Sequence, residues 1–226
     1  MRLGACAPSA ILNSSVPRSA SVFFVLALLV LVSGCAPAPL DDDAGFARTT
    51  DAFRASKDQA FTQPDSPVPP AKQPSVLPLA YYPPAMAYKV PAALRVDTSA
   101  PPIEMLTSTG QKRMMQRVGR LEFSLKGQSL SLEAFVEAGS ATMDRLFVPF
   151  TDLTSGSETY PAGRYLDLDR TPTGVYIVDF NRAYNPYCYY NATYDCPYPP
   201  RENRLAVPVR AGERMKEGTS PGAPSR

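Results

Sequence analysis

The sequence predicts an all-β domain, a mainly antiparallel sandwich or small barrel, with one N-terminal helix that follows a signal peptide. Short runs that alternate apolar and polar residues recur from residue 86 onward, a spacing typical of strands with one buried face. Glycine-containing turns separate these runs and no helical segments alternate with them, which argues against a βαβ fold. The one amphipathic pattern of helical period lies earlier, at residues 45–61.

Residues 1–34 are predicted to be a lipoprotein signal peptide. Arg2 and Arg18 form a basic n-region before the apolar run at residues 22–32. That run is shorter than the roughly 20 apolar residues that a membrane-spanning helix needs, and it fits the h-region of a secretory signal. We therefore expect the chain to be exported.

The end of this segment resembles a bacterial lipobox, with LVSGC at residues 31–35. In a lipobox, small residues precede a cysteine that becomes lipidated. The resemblance predicts that Cys35 carries acyl chains such as palmitate and anchors the protein in the lipid bilayer of the cell envelope. The alternative is an ordinary signal with a chance cysteine at its end. Ala36 stands where an acidic residue would favour the inner membrane, so in a Gram-negative cell the periplasmic face of the outer membrane is favoured.

Residues 35–44 are predicted to be a tether, since prolines stiffen the chain and three consecutive aspartates stay solvated. Residues 45–61 then predict a packing helix. Phe46, Phe53 and Ala60 fall near one stripe at helical spacing, with charged residues on the other side.

The remaining strands are predicted from residue spacing. Residues 121–125 and 130–134 alternate cleanly, and the connection between them, Lys126-Gly127-Gln128, is of hairpin size. The β-domain is predicted to cover residues 45–216, with a disordered tail at 217–226. The other predicted strands are residues 88–90, 93–96, 103–107, 114–118, 146–150, 164–168, 175–180 and 205–209.

Composition excludes several classes of function. The chain has no histidine, which excludes Ser-His-Asp and Cys-His catalysis and histidine-ligated metal sites. Residues 1–34 contain two of the 23 basic residues and no acidic residue, which leaves 21 basic against 21 acidic residues in the remainder. No basic stripe is left to bind nucleic acid, so we predict no nucleic-acid partner. We also predict no metal and no cofactor.

Cys188 and Cys196 are the two cysteines that remain once the signal is removed and Cys35 is acylated. In an oxidising envelope, two cysteines so close in a loop predict a disulfide. A metal site is an alternative, in which carboxylates such as Asp179 and Asp195 would have to complete the four ligands that zinc requires. Free or redox-active thiols are the third possibility.

The candidate binding residues cluster in and around a long segment, residues 179–203, that lacks regular structural patterns. Such a segment is uncommon inside a compact domain unless it is functional. Arginine beside aspartate and amide groups suits a carboxylate or a sugar, and tyrosine suits stacking against sugars. The predicted ligand is a small polar molecule or an envelope polymer. The candidate ligand-binding residues are Asp152, Tyr160, Arg164, Asp179, Asn181, Tyr184, Asn185 and Asn203.

Other interpretations of these residues stay open. Asp and Asn side chains also cap turns, and Arg164 and Asp179 could form a buried structural ion pair. An enzyme would use Asp179 or Asp152 as general base, with Tyr160 or Arg164 stabilising charge, although no catalytic residue is assigned. A structural envelope protein that contacts others through its tyrosines is the third reading.

Several stretches together resemble the family of domains of unknown function (DUF) numbered 1684. They are FRASKDQAFTQPDSPVP, LAYYPPAMAYKV, FVPFTDLTSGSETYPAGRYLDLD, VDFNRAYNPYCYYNATYDCPYPPRENRL and VPVRAGER. The resemblance covers roughly residues 45–216 and implies that the opening segment belongs to the domain. The family has no established reaction to carry over. Tyr189 and Tyr198 stand where its pattern usually has a small and an apolar residue, which implies an altered pocket.

Overall fold

The computed structural model describes residues 43–97, 99–140 and 144–217. The predicted signal peptide, Cys35 and almost all of the predicted tether and tail lie outside these residues. Within them, no helix is long and apolar enough to cross a membrane.

One long helix precedes the strands, and short helical turns interrupt the connections. The helices are α1 (Asp43–Ala60) and α2 (Gln73–Val76), with 3₁₀ turns at Pro70–Lys72, Met86–Tyr88, Phe180–Arg182, Tyr187–Tyr189 and Arg201–Asn203. The strands are β1 (Lys89–Val96), β2 (Ile103–Leu106), β3 (Lys112–Leu125), β4 (Gln128–Glu137), β5 (Arg145–Phe150), β6 (Arg164–Asp169) and β7 (Val175–Asp179).

The strands form one antiparallel sheet that curls into a nearly closed barrel, which confirms the predicted fold class. Their order is β6-β5-β4-β3-β1-β7, and β2 pairs with β3 beside this path. The predicted strands at 114–118 and 121–125 join into β3, which bulges between Arg117 and Gly119. A Cβ on Gly119 would lie 2.2 Å from the carbonyl oxygen of Arg95, so the close approach of β1 to the bulge requires glycine.

The barrel encloses the main hydrophobic core. Its side chains are aliphatic and aromatic, and the rings of Phe150 and Phe180 meet edge-on at 5.4 Å. A smaller cluster of Phe61, Val68, Leu79 and Tyr190 joins the end of α1 to the segment after β7. The segment after β7 therefore contributes to both clusters, with Phe180 and Ala183 in the main core and Tyr190 in the smaller one.

The predicted helix is confirmed, but of its predicted stripe only Phe46 is buried, and the prediction is wrong for Phe53 and Ala60. Phe53 is 38% exposed, whereas the buried residues of α1 are Phe46, Thr50 and Arg54. These three are spaced four apart, as one helical face requires. The guanidinium carbon of Arg54 lies 4.6 Å from the centre of the Tyr81 ring. The buried guanidinium group therefore packs against an aromatic ring.

Residues 205–209 do not form the predicted strand. Leu205, Val207 and Val209 are buried in alternation, as the pattern predicted, but the backbone bonds differently. Leu205 N–H donates to the Thr151 carbonyl oxygen at 2.8 Å, and Val209 N–H donates to Asp152 Oδ1 at 3.1 Å. The Val209 N–H therefore donates to a side chain, and residues 205–209 form no regular ladder of backbone hydrogen bonds.

Candidate functional site

The segment from Asp179 to Asn203, called here the signature loop, is fixed to the barrel by two buried asparagines. Asn181 pairs with the backbone of Ala85, with its amide donating and its oxygen accepting, each at 2.9 Å. Asn203 bonds both backbone groups of Glu133 and donates to the carbonyl oxygen of Pro149 at 2.7 Å. Both side chains replace missing strand partners, which is a structural role.

Arg164 and Asp152 form a sealed ion pair inside the fold. Arg164 is 1% exposed, and its Nη2 donates to Asp152 Oδ2 at 2.9 Å and to the Val209 carbonyl at 2.7 Å. Its Nη1 donates to the carbonyls of Ala211 and Glu213. The partner of Arg164 is thus Asp152, and Asp179 lies near Arg182 instead, at 3.9 Å.

Most of the sequence-predicted binding residues lie in the interior. Tyr160 and Asn185 are buried too, the first edge-on against Tyr189 at 5.3 Å and the second bonded through its backbone N–H to Glu213. Six of the eight candidates are therefore inaccessible to a ligand in this structure. Asp179 lines a cavity of about 310 Å³ beside α1, and Tyr184 lines a different one.

That second cavity, called here the aromatic cavity, has a volume of about 440 Å³. It lies between strands β3, β4, β5 and β6 and part of the signature loop, residues 184–197. Its lining consists of Arg113, Met115, Glu137, Phe147, Tyr165, Tyr184, Tyr187, Tyr194, Asp195, Cys196 and Pro197.

Edge-to-face contacts hold the rings of the aromatic cavity in place. Ring centres are 4.7 Å apart for Phe147 and Tyr165, 5.7 Å for Tyr165 and Tyr184, and 5.3 Å for Tyr187 and Tyr194. This geometry is favourable for aromatic pairs and limits ring motion. Burial raises the pKa of Tyr184 and of Tyr187, so both phenols stay protonated near neutral pH. The cavity thus presents neutral aromatic rings, while the hydroxyl groups of Tyr165 and Tyr184 donate to the Pro197 carbonyl and to Asp167.

The charged groups of the aromatic cavity remain partly open to solvent. Arg113 Nη2 donates to Asp195 Oδ2 at 3.1 Å and to the Asp195 carbonyl at 2.9 Å, and the arginine side chain is 36% exposed. Burial opposes the ionisation of Asp195, but hydrogen bonds from Thr107 and Thr109 and the charge of Arg113 lower its pKa below the usual value. Glu137 adds an exposed carboxylate. Hydrogen-bond donors and acceptors therefore both line the aromatic cavity.

Five of the lining residues are absent from the predicted binding residues, because they come from strands rather than from the loop. They are Arg113, Met115, Glu137, Phe147 and Tyr165. One signal was available for the first of them. Arg113 stands two residues before the buried Met115, so a charged residue shares the inward face of β3.

Cys188 and Cys196 are free thiols, so the predicted disulfide is wrong. The 3₁₀ turn at Tyr187–Tyr189 directs the Cys188 N–H at Cys196 Sγ, 3.2 Å away. The described residues contain no group of three or more metal-ligating side chains.

Comparisons with known proteins give a family and a similar solved structure. Residues 77–214 match the family described as "Protein of unknown function (DUF1684)". No curated protein matches the chain. The solution NMR structure of an uncharacterized protein from Haloarcula marismortui is similar, with 35% identity and a TM-score of 0.63 over 80% of this chain and 100% of that chain.

Proposed function

We propose that this chain, which belongs to the DUF1684 family, is a lipid-anchored cell-envelope protein whose β-domain binds a small polar ligand in the aromatic cavity. The observation that carries the proposal is the cavity itself, with about 440 Å³ of space. Small-molecule sites are typically concave, about 300–1,000 Å³ in volume, and lined by apolar groups with a few polar ones. The aromatic cavity has this size and composition.

A sugar unit of an envelope polymer is the ligand class that fits these groups best. The tyrosine rings offer apolar surface for the carbon face of a sugar ring. Arg113 supplies donors, and Glu137 and Asp195 supply acceptors, for sugar hydroxyl groups. Tyr187, which is 42% exposed, stands at the opening, where the next unit of a polymer would leave the cavity.

Lipid anchoring is supported by the lipobox at Cys35 and by the short distance from there to the domain. Residues 36–42 separate Cys35 from the first residue of α1. Seven residues span at most about 25 Å when fully extended. An acylated Cys35 would therefore keep the start of α1 within about 25 Å of the membrane surface.

Binding of a defined sugar tests the cavity. We expect the full chain to bind N-acetylglucosamine or its disaccharide in a calorimetric titration. Arg113→Gln should weaken this binding at least about tenfold, since a hydrogen bond to a charged group contributes about 1.5–3 kcal/mol. Tyr187→Ala should also weaken it, because the substitution removes a ring against which the sugar would stack.

The matched control is Arg145→Gln. It removes a comparable surface pair, Arg145 with Asp169 at 3.1 Å, whose arginine does not line the aromatic cavity. Its affinity should equal that of the unaltered chain. Equal affinity in all three variants, or no binding of either sugar to the unaltered chain, would refute the proposed ligand site.

Membrane fractionation tests the anchor. We expect the unaltered protein in the membrane pellet and the Cys35→Ser variant in the soluble fraction, because the substitution removes the atom that would carry the acyl chains. Cys6→Ser is the matched control and should stay in the pellet. A Cys35→Ser protein that remains wholly in the pellet would refute lipid anchoring at that residue.

A further inference from the structure

The outer face of β7 carries an exposed apolar patch. Val175 and Ile177 alternate with buried residues along the strand, so their side chains point away from the core. They are 49% and 50% exposed. Their partners in β1 are Ala93 and Pro91, which lie on the same outer face. These four residues, called here the β7 patch, have no polar side-chain atom and lie at an edge of the sheet.

The β7 patch lies beside the start of α1. Ile177 lines the cavity of about 310 Å³ together with Phe46 and Thr49, which belong to the first two turns of the helix. Arg182 lines this cavity as well, and its guanidinium carbon lies 4.7 Å from the centre of the Phe53 ring. Since Phe53 is 38% exposed, a further exposed apolar side chain lies on this side of the domain.

The link between α1 and Cys35 brings this side of the domain towards a bilayer. Asp43, the first residue of α1, precedes Phe46 by about 4.5 Å along the helix axis. Residues 36–42 separate it from Cys35 and span at most about 25 Å. A link this short favours contact between the bilayer and the surface around the start of α1.

The charged residues that flank the β7 patch are paired, which favours an apolar contact over an electrostatic one. Arg95 donates to Glu122 at 2.9 Å, and Arg182 lies 3.9 Å from Asp179. Lys89 is opposite Asp179 in the β1–β7 pair. Because each of these cations has a carboxylate nearby, the surface is poorly suited to attract anionic lipid headgroups. Burial of apolar side chains at the lipid interface needs no such attraction.

We propose that the β7 patch is the surface on which this protein rests on its lipid bilayer, with Val175 and Ile177 at the boundary between headgroups and acyl chains. The inference rests on the lipid anchoring proposed above and adds an orientation to it. A tethered anchor fixes only a distance, whereas a docked patch also fixes which side of the domain faces the bilayer. No residue of the β7 patch lines the aromatic cavity, so the contact is separate from sugar binding.

A single tryptophan tests the contact, since the chain has none of its own. The full acylated chain with Ile177→Trp is reconstituted on phosphatidylcholine vesicles with and without brominated acyl chains, which quench tryptophan on contact. We expect the brominated lipid to lower the emission at least about twofold, because a ring at the headgroup–acyl boundary touches these chains. Val175→Trp should behave in the same way. High salt should leave the quenching unchanged, because the contact is apolar.

Leu106→Trp is the matched control. Leu106 is 46% exposed and lies opposite Lys112, whereas Ala93 of the β7 patch lies opposite Glu122. These two partners are roughly 30 Å apart along β3. The emission of Leu106→Trp should therefore be the same with and without brominated lipid. Because all three substituted residues are exposed, circular dichroism of each variant should match that of the unaltered chain.

Four outcomes would overturn the proposal, and they separate the docking surface from the anchor. If the chain sediments with the vesicles but Ile177→Trp and Val175→Trp are quenched no more than Leu106→Trp, the anchor stands and the docking surface is refuted. If their emission shifts to the blue without quenching and the chain is dimeric in detergent, the β7 patch joins two copies of the protein instead. If high salt abolishes the quenching, charges rather than apolar side chains hold the domain on the bilayer. If the chain does not sediment with the vesicles, the anchor and the docking surface are refuted together.

Discussion

Arg164 and Arg113 make the same kind of contact in two different settings. Each donates to an aspartate, at 2.9 Å to Asp152 and at 3.1 Å to Asp195. Arg164 also donates to three backbone carbonyls in the interior, whereas the Arg113 side chain is 36% exposed and borders an open cavity. An arginine-aspartate pair therefore indicates a binding site only where donors stay available to a ligand.

The two pairs also differ in what surrounds the carboxylate. Asp152 accepts from Thr154 twice and from the Val209 backbone, so its oxygens are occupied within the protein. Asp195 accepts from Thr109 as well as Arg113, and its side chain is 28% exposed. The first pair joins the strands to the segment after the signature loop. The second pair lines the aromatic cavity and is partly exposed.

Arg164→Met should have the largest effect on stability. The substitution leaves the buried Asp152 carboxylate without its cation, and breaking such a pair costs about 3–5 kcal/mol. We expect the free energy of unfolding in urea, followed by circular dichroism, to fall by that amount.

The double variant Arg164→Met with Asp152→Asn sharpens this test, because it also removes the unpaired negative charge of the Asp152 carboxylate. It should recover part of the lost stability. A single variant that loses less than about 1 kcal/mol would show that the interior pair is no more important than a surface pair.

Arg113→Met should have the smallest effect on stability. Exposed ion pairs contribute about 0–1 kcal/mol, so we expect the urea midpoint to change little while sugar binding weakens at least about tenfold. If Arg113→Met lowered the free energy of unfolding as much as Arg164→Met, Arg113 would have a structural role and the two ion pairs would not differ.

The sequence predicted the strands well, because alternation reports which side chains are buried. The hairpin of β3 and β4 has Leu125 opposite Gln128, as the connection between them predicted. Alternation does not report what the backbone bonds to. Residues 205–209 are therefore buried as predicted and yet form no strand, since Asp152 takes the place of one neighbouring backbone group.

The partners of charged residues were harder to predict, because they depend on register. Phe150 lies opposite Arg164 in the β5–β6 pair, which brings the nearby Asp152 to the guanidinium instead of Asp179. The cavity depends on a similar detail. Thr107 pairs with Pro197 as an isolated bridge, and hydrogen bonds from Ser108 and Thr109 to residues 194–196 help to hold the signature loop beside the start of β3. One-residue pairings leave no periodic signal in a sequence.

Helix α1 precedes the matched family region and yet contacts residues within it. The matched family region begins at residue 77, but Lys57 contacts the buried Glu213, and Asp58 accepts from the Leu79 N–H at 2.9 Å. A fragment that starts at the family boundary would remove Lys57 from the buried carboxylate of Glu213. We therefore expect such a fragment to be less stable than one that begins at Asp43 and includes α1.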